Sequence, residues 1–210
     1  MKTILFKILV IFFFAGVICS CSDEDENRFR PGSTHTGTNP TDPGDGLDFS
    51  MLTATNHPRL LMNASAFTAL KSKIQSNASP NLTILHNTIM SLCNSKGMNT
   101  KVLTYQLDAS NKRILDVSRD ALLRIFTCAY AYRMTGESKY LTKAETDMNA
   151  VCIFSDWNST RHFLDVGEMA TAVAFGYDWL YNELSEGTRK KAASALLNYA
   201  FKQAQNKNWN

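Results

Sequence analysis

The chain has 210 residues and a formal net charge of +3 at pH 7. This length is sufficient for one domain with a hydrophobic core. The sequence contains no basic stripe with interleaved aromatic residues, no glycine-rich phosphate loop, no G-x-S-x-G motif and no H-E-x-x-H motif. We therefore expect no nucleic-acid partner, no cofactor and no metal site.

Residues 1–20 have the features of a secretory signal peptide. Lys2 and Lys7 precede an apolar run at residues 8–18, which is too short to span a bilayer. The sequence ICSC at residues 18–21 resembles the lipobox of a bacterial lipoprotein. We therefore expect cleavage before Cys21 and attachment of the lipid to that residue. An ordinary signal peptide with two unremarkable cysteines is the alternative.

The acidic run SDEDE at residues 22–26 directly follows Cys21. It resembles the export signal that sends lipoproteins of Bacteroidetes to the outer cell surface, and a solvated linker is the other interpretation. Loss of Lys2 and Lys7 with the signal peptide would leave 20 basic and 19 acidic residues, a net charge of +1. We expect an outer-membrane protein that is anchored by lipid and exposed at the cell surface.

The composition of residues 21–50 predicts a lipidated tether. From residue 27 onward this segment is rich in proline and glycine and has almost no side chains that a core could bury. The folded part is predicted to begin near residue 51. It contains three cysteines, Cys93, Cys128 and Cys152, each in an apolar helical context. We interpret all three as small buried hydrophobic residues, since no pair has metal-ligand spacing.

Two helices are predicted at the start of the folded part. The first is capped by Asn63 or Ser65, and its apolar residues recur at helical spacing. The second has Pro80 in its first turn and ends at Gly97. Residues 99–112 are ambiguous, and we interpret them as a loop that covers part of the domain.

Four further helices are predicted as two helical hairpins. The first hairpin joins residues 116–134 to a helix beginning near residue 138, with Gly136 just after the first helix. The second joins residues 165–182 to residues 188–205, with Ser185 as the cap of the last helix. The predicted fold class is all-α, with stacked antiparallel helical hairpins that form either an open solenoid or part of a ring.

The helix at residues 165–182 is apolar on most of its surface yet carries Glu168 and Asp178 on one polar line. Small residues along it predict close approach by neighbouring helices. In a ring, the acidic side chains would face a wet central groove. Alternatively they pair with a basic residue such as Arg133 or Arg161. The two carboxylates are about 15 Å apart along the helix, too far for a glycosidase pair.

The segment DWNSTRHFLDVGEMATAVAFGYDWLYNELSEGTRKKAASAL at residues 156–196 resembles the helical domain of the heparinase II/III-like polysaccharide lyases. The segment HPRLLMNASAFTALKSKI at residues 57–74 is similar to the opening of that domain. The resemblance covers roughly residues 52–210. It implies an incomplete (α/α) toroid followed by a β-sandwich, and cleavage of uronic-acid-containing glycans, such as heparan sulfate or alginate, by β-elimination.

The resemblance also implies site residues. A lyase of this kind needs an Asn or His near the uronate carboxylate to stabilise the developing enolate. Asn210 is the first choice for this catalytic role, and Asn208 is the second as a substrate-binding residue. His162 could contact sugar or pack before a helix, and Trp157 could stack on sugar or lie in the core. Glu168 joins the substrate-binding set through the groove hypothesis.

The catalytic Tyr and His of the family are expected downstream of this chain. Tyr105, Tyr177 and Tyr199 do not stand in the family's catalytic context. Residues 51–210 are therefore interpreted as the N-terminal part of a truncated toroid, inactive as it stands. The expected partners are an acidic polysaccharide and, through the lipid on Cys21, a membrane.

Two other function classes remain open. A non-catalytic surface glycan-binding lipoprotein would share the signal, the tether and the helical composition, and it would need exposed aromatic side chains. A helical scaffold for protein partners would need a long amphipathic repeat, which the apolar helix at residues 165–182 does not provide.

Overall fold

Six helices form the regular secondary structure of residues 56–206, the part of the chain that the computed structural model describes. They are α1 (Ala64–Gln75), α2 (Pro80–Leu92 and the π-helical Cys93–Gly97), α3 (Leu115–Thr135), α4 (Ser138–Cys152), α5 (Phe163–Trp179) and α6 (Glu186–Ala195, the π-helical Leu196–Phe201, and Lys202–Gln205). No strand lies within this range, and the all-α prediction is confirmed. The predictions for residues 1–50, including Cys21, and for Asn208 and Asn210 concern residues outside it.

Local sequence signals place most of the helix ends. Asn63 rather than Ser65 caps α1, because Asn63 Oδ1 accepts a hydrogen bond from Ala66 N at 2.9 Å. Gly136 follows α3 with a φ of 75°, a left-handed conformation that glycine adopts without a steric penalty. Ser185 Oγ accepts a hydrogen bond from Thr188 N at 3.2 Å and caps α6.

The predicted boundaries of α5 differ from the observed ones at both ends. This helix begins at Phe163, two residues before the predicted start, and ends at Trp179, three residues before the predicted end. Leu180 follows it with φ −112° and ψ 9°, which takes the chain out of the helix. A turn then leads to Ser185.

Helix α3 lies at the centre of the packing. It packs most extensively against α5 and α4, and also against the π-helical end of α2. Only residues 136 and 137 separate α3 from α4, so these two helices form a tight hairpin, and α4 in turn packs on α6. The core therefore lies between the α3–α4 and α5–α6 hairpins. Closure of such hairpins into a ring stays a prediction.

The close approach of α5 to its neighbours depends on Gly176. A Cβ atom at this position would lie 2.6 Å from Ile125 Cγ2 on α3 and 2.6 Å from Met148 Sδ on α4. At Gly167, one end of the same helix, a Cβ atom would meet nothing within 4 Å. The small residues of α5 therefore serve close packing at Gly176 and leave Gly167 exposed.

These two glycines form a matched pair for a stability test. Gly176→Ala is expected to lower the free energy of unfolding by about 1–3 kcal/mol, because the added methyl group overpacks the core. Gly167→Ala is expected to raise it by about 0.5–1 kcal/mol, because alanine is the better helix former. Urea denaturation followed by circular dichroism measures both. Equal changes in the two variants would contradict the packing argument.

Residues 99–112 form a loop without regular structure, as predicted, and α3 fixes its beginning. The Arg124 side chain is 1% exposed, and its Nη1 donates hydrogen bonds to the carbonyl oxygens of Lys101 at 2.6 Å and Asn99 at 3.4 Å. Its Nη2 pairs with Asp120. The buried guanidinium thus replaces the backbone partners that the loop lacks.

Candidate functional site

Asp165 lies in the first turn of α5 and is fully buried. Its Oδ1 accepts hydrogen bonds from Arg113 Nη2 at 2.7 Å and Arg113 Nε at 3.1 Å. Its Oδ2 accepts from Ile114 N at 2.9 Å and from Asn158 Nδ2 at 3.0 Å. Four donors therefore compensate for the loss of water around this carboxylate. Asp165 joins α5 to the start of α3 and holds Arg113 in place.

Glu168 is also part of the contact between α3 and α5. Its side chain is 8% exposed, Oε2 accepts a hydrogen bond from Ser118 Oγ at 2.8 Å, and Oε1 lies 3.3 Å from Arg119 Nε. The expectation of a substrate-binding Glu168 in a wet groove was wrong, because both carboxylate oxygens are bound within the protein. Pairing with a basic residue was the correct alternative.

Asp178 binds the segment that precedes α1. His57 Nδ1 donates to Asp178 Oδ1 at 2.7 Å, and the backbone N–H groups of Arg59 and Leu60 donate to Oδ2 at 2.8 Å each. Trp179 Nε1 donates to the Leu60 carbonyl at 2.8 Å. Neither Arg133 nor Arg161, the partners considered from the sequence, pairs with this carboxylate. The acidic residues of α5 therefore have structural roles.

A positively charged concavity lies at the N-terminal end of α5. It encloses about 460 Å³, and its lining residues are Ser110, Lys112, Arg113, Arg161 and His162. Three of them carry permanent positive charges. No carboxylate is among these lining residues. Because Asp165 is buried beneath Arg113, the exposed wall of the concavity is cationic, a surface that attracts carboxylate or sulfate groups.

One aspartate shapes the loop that supplies three of the five lining residues. Asp108 Oδ1 accepts hydrogen bonds from Ser110 Oγ at 2.7 Å and from the backbone N–H groups of Ser110 and Lys112, both at 3.1 Å. The Asp108 N–H donates to the Arg113 carbonyl at 2.7 Å, which closes the turn. The bonds from Ser110 and Lys112 hold the pKa of Asp108 below its usual value. The basic side chains are thus presented on an ordered turn.

Of the sequence-predicted site residues that lie within residues 56–206, His162 alone borders this concavity. It occupies the N-cap position of α5 but makes no capping hydrogen bond through its side chain. Its Nδ1 lies 4.0 Å from Asp165 Oδ1, beyond hydrogen-bond distance, and its side chain is 42% exposed. The ring therefore lies partly in the concavity and partly against the protein. This position fits both a packing role and contact with a ligand.

Trp157 has no surface to offer a sugar. It is 0% exposed, its Nε1 donates to the Val151 carbonyl at 3.0 Å, and its ring packs edge-on against Tyr199. The prediction that Trp157 binds substrate was therefore wrong, and the alternative that it lies in the core was right. Trp179, 2% exposed, also lies in the core as predicted.

Tyr105 is a partly exposed tyrosine in the loop at residues 99–112. Its hydroxyl donates to Asp156 Oδ1 at 3.0 Å. Partial burial and this hydrogen bond raise the pKa of Tyr105 to about 12. The phenol is therefore held protonated at neutral pH, which opposes a role as a proton-abstracting base.

Sequence reasoning missed Ser110, Lys112 and Arg113 as members of a site. The signal was present as two adjacent basic residues at the end of the loop at residues 99–112. Lys112 and Arg113 lie about fifty residues before Arg161 in the chain. Only the packing of α3 on α5 brings them to the same concavity.

Within residues 56–206, no cluster of three or more His, Cys, Asp or Glu side chains is arranged to hold a metal ion. None of the helices in this range combines the length and the hydropathy that crossing a bilayer requires. Neither protein-family models nor curated protein sequences give a match to this chain.

Proposed function

We propose that residues 51–210 are the N-terminal helical part of a polysaccharide lyase and bind the acidic groups of a uronic-acid-containing glycan. The cationic concavity between the loop at residues 108–113 and the start of α5 supports this proposal. Glycans of this class carry carboxylate or sulfate groups at every repeat. Arginine binds such planar or tetrahedral anions through paired N–H donors, and lysine adds a point charge.

Arg113 and Arg161 supply the anchors in this proposal. Asp165 binds Nε and Nη2 of Arg113 from beneath and orients the guanidinium, while Nη1 makes no hydrogen bond within residues 56–206. Arg161 is exposed, lines the same concavity and forms no ion pair in the described part of the chain. The proposal assigns binding, and not proton abstraction, to residues 56–206.

Charge removal tests the binding site. The double variant Lys112→Gln/Arg161→Gln is expected to bind heparin or alginate at least about tenfold more weakly, a loss of about 1.4 kcal/mol. The matched control, Lys73→Gln/Lys190→Gln, removes the same charge from exposed positions on α1 and α6 and should retain wild-type affinity. Isothermal titration with the full chain, at two salt concentrations, measures both. Wild-type binding should weaken with salt, because the contacts are electrostatic.

Two results would contradict the proposed site. Equal weakening in both double variants would mean that net charge alone drives the interaction. Equal binding of a neutral glucan and an acidic glycan would show that binding at the concavity does not depend on the charge of the glycan.

The lyase part of the proposal needs a separate measurement. The native protein, captured from its own cells with an antibody to residues 50–210, is incubated with the bound glycan. Ultraviolet absorbance of the unsaturated uronate reports β-elimination. Product formation by a species of much larger mass supports the lyase. Binding without product, by a species of the mass of this chain, supports the non-catalytic glycan-binding alternative instead.

A further inference from the structure

Two cysteine side chains from different helices meet in the core. Cys93, at the start of the π-helical end of α2, and Cys128, in the middle of α3, have their Sγ atoms 3.7 Å apart. Both residues are 0% exposed and both are thiols in this structure. They are 35 positions apart in the sequence, so their contact is a tertiary one.

The surroundings of this pair favour contact between the two sulfur atoms. Gly97 packs over them, and a Cβ atom at that position would lie 3.4 Å from each Sγ. Met98 Sδ lies 3.9 Å from Cys128 Sγ. The hydrogen bond between the thiols lowers the pKa of Cys93 and, together with burial, raises that of Cys128. Cys93 is therefore the thiol that ionises first.

We propose that Cys93 and Cys128 form a disulfide bond in the exported protein. A disulfide bond requires the two sulfurs to approach from 3.7 Å to about 2.05 Å, so the pair already lies in contact in the folded chain. The proposal rests on the predicted signal peptide, since disulfides form and persist outside the cytosol. It is independent of glycan binding, so either can fail without the other.

The reaction is a thiol–disulfide exchange with a protein disulfide as oxidant. The thiolate of one cysteine of the pair attacks one sulfur of the oxidant's disulfide, which releases the other sulfur as a thiolate and leaves a mixed disulfide. The other cysteine then loses its proton and attacks the Sγ of the first, and the oxidant leaves as a dithiol that has gained both electrons. Because both cysteines are buried in the folded chain, the exchange takes place while the chain folds.

Counting free thiols tests this proposal. The mature full chain, isolated after export, is unfolded in guanidinium with iodoacetamide and without reductant, and its mass is measured. One alkylated thiol, Cys152, is expected, and prior reduction should increase the number to three. Peptide mapping should find residues 93 and 128 in one linked pair. Three alkylated thiols in the unreduced protein, also after equilibration with oxidised glutathione, would overturn the proposal, as would a linkage to Cys152.

Thermal unfolding provides a second measurement. Reduction is expected to lower the Tm of the wild-type chain by roughly 5–15 °C, because the cross-link restricts the unfolded chain. The Cys152→Ser variant should keep this shift, and the Cys93→Ser/Cys128→Ser variant should lose it. A shift of equal size in the double variant would assign the effect of the reductant to something other than this pair.

Discussion

Replacement of Asp165 by alanine is expected to lower the free energy of unfolding by about 3–5 kcal/mol, the cost typical of removing one partner from a buried ion pair. The carboxylate is fully buried and accepts two hydrogen bonds from Arg113, one from Ile114 N and one from Asn158. Without it, the Arg113 charge and the Ile114 N–H lose their partners beside the core. Urea denaturation followed by circular dichroism measures the loss.

Two further variants separate the contributions at this site. Asp165→Asn retains the shape and one acceptor but removes the charge, so its loss should lie between those of wild type and alanine. Glu186→Ala removes a carboxylate whose side chain is 69% exposed and paired with Lys190, and it should change stability by about 1 kcal/mol or less. The structural role of Asp165 would be refuted by a loss in the alanine variant no larger than that of Glu186→Ala.

The same substitution affects the concavity. Asp165 orients Arg113, so Asp165→Asn should also weaken binding of an acidic glycan if the protein still folds. Weaker binding by a folded Asp165→Asn variant would connect the buried ion pair with the proposed site. Unchanged binding would show that Arg113 does not need this orientation.

Asp178→Ala is expected to lower the free energy of unfolding by about 2–4 kcal/mol, because three hydrogen bonds to a buried charged group are lost together. These bonds come from His57 and from the backbone of Arg59 and Leu60. The segment before α1 should detach first, so the amides of Arg59 and Leu60 should exchange hydrogen much faster than in wild type. Hydrogen exchange measured by mass spectrometry tests this.

Asn182 provides the matched control for Asp178. Its Nδ2 donates to the His57 carbonyl at 3.4 Å from an exposed position, which is a long and weak hydrogen bond to the same segment. Asn182→Ala should therefore leave both stability and exchange nearly unchanged. Fast exchange of residues 59 and 60 in the control, or slow exchange in Asp178→Ala, would contradict the role of Asp178.

The helices could be predicted from the sequence because their signals are local. Asn63, Pro80, Gly136 and Ser185 each act within one turn of the helix end that they mark. The predicted boundaries of α5 were less accurate, since the chain leaves the helix at Leu180 without a glycine or proline that would indicate the end in the sequence. His162 was predicted to stand just before a helix, and it does.

The partners of the acidic residues could not be predicted in the same way. The sequence showed that Glu168 and Asp178 required either solvent or a counter-charge, but the candidate bases were chosen by residue type alone. The true partners of Asp178 lie about 120 positions away and include two backbone N–H groups, which leave no mark in the sequence. Trp157 had two interpretations because an indole ring can pack in a core or stack on a sugar, and the sequence does not show which partner it meets.

The sequence by itself determined that the regular structure of residues 56–206 is helical and where most of these helices begin and end, because capping, turn residues and apolar periodicity act over a few positions. Tertiary structure alone decided that the acidic residues of α5 are buried in ion pairs and hydrogen bonds, that Lys112, Arg113 and Arg161 converge on one concavity, and that Cys93 meets Cys128. These contacts join distant positions, and their geometry depends on how α3 and α5 pack, which is the sum of many weak and nondirectional contacts.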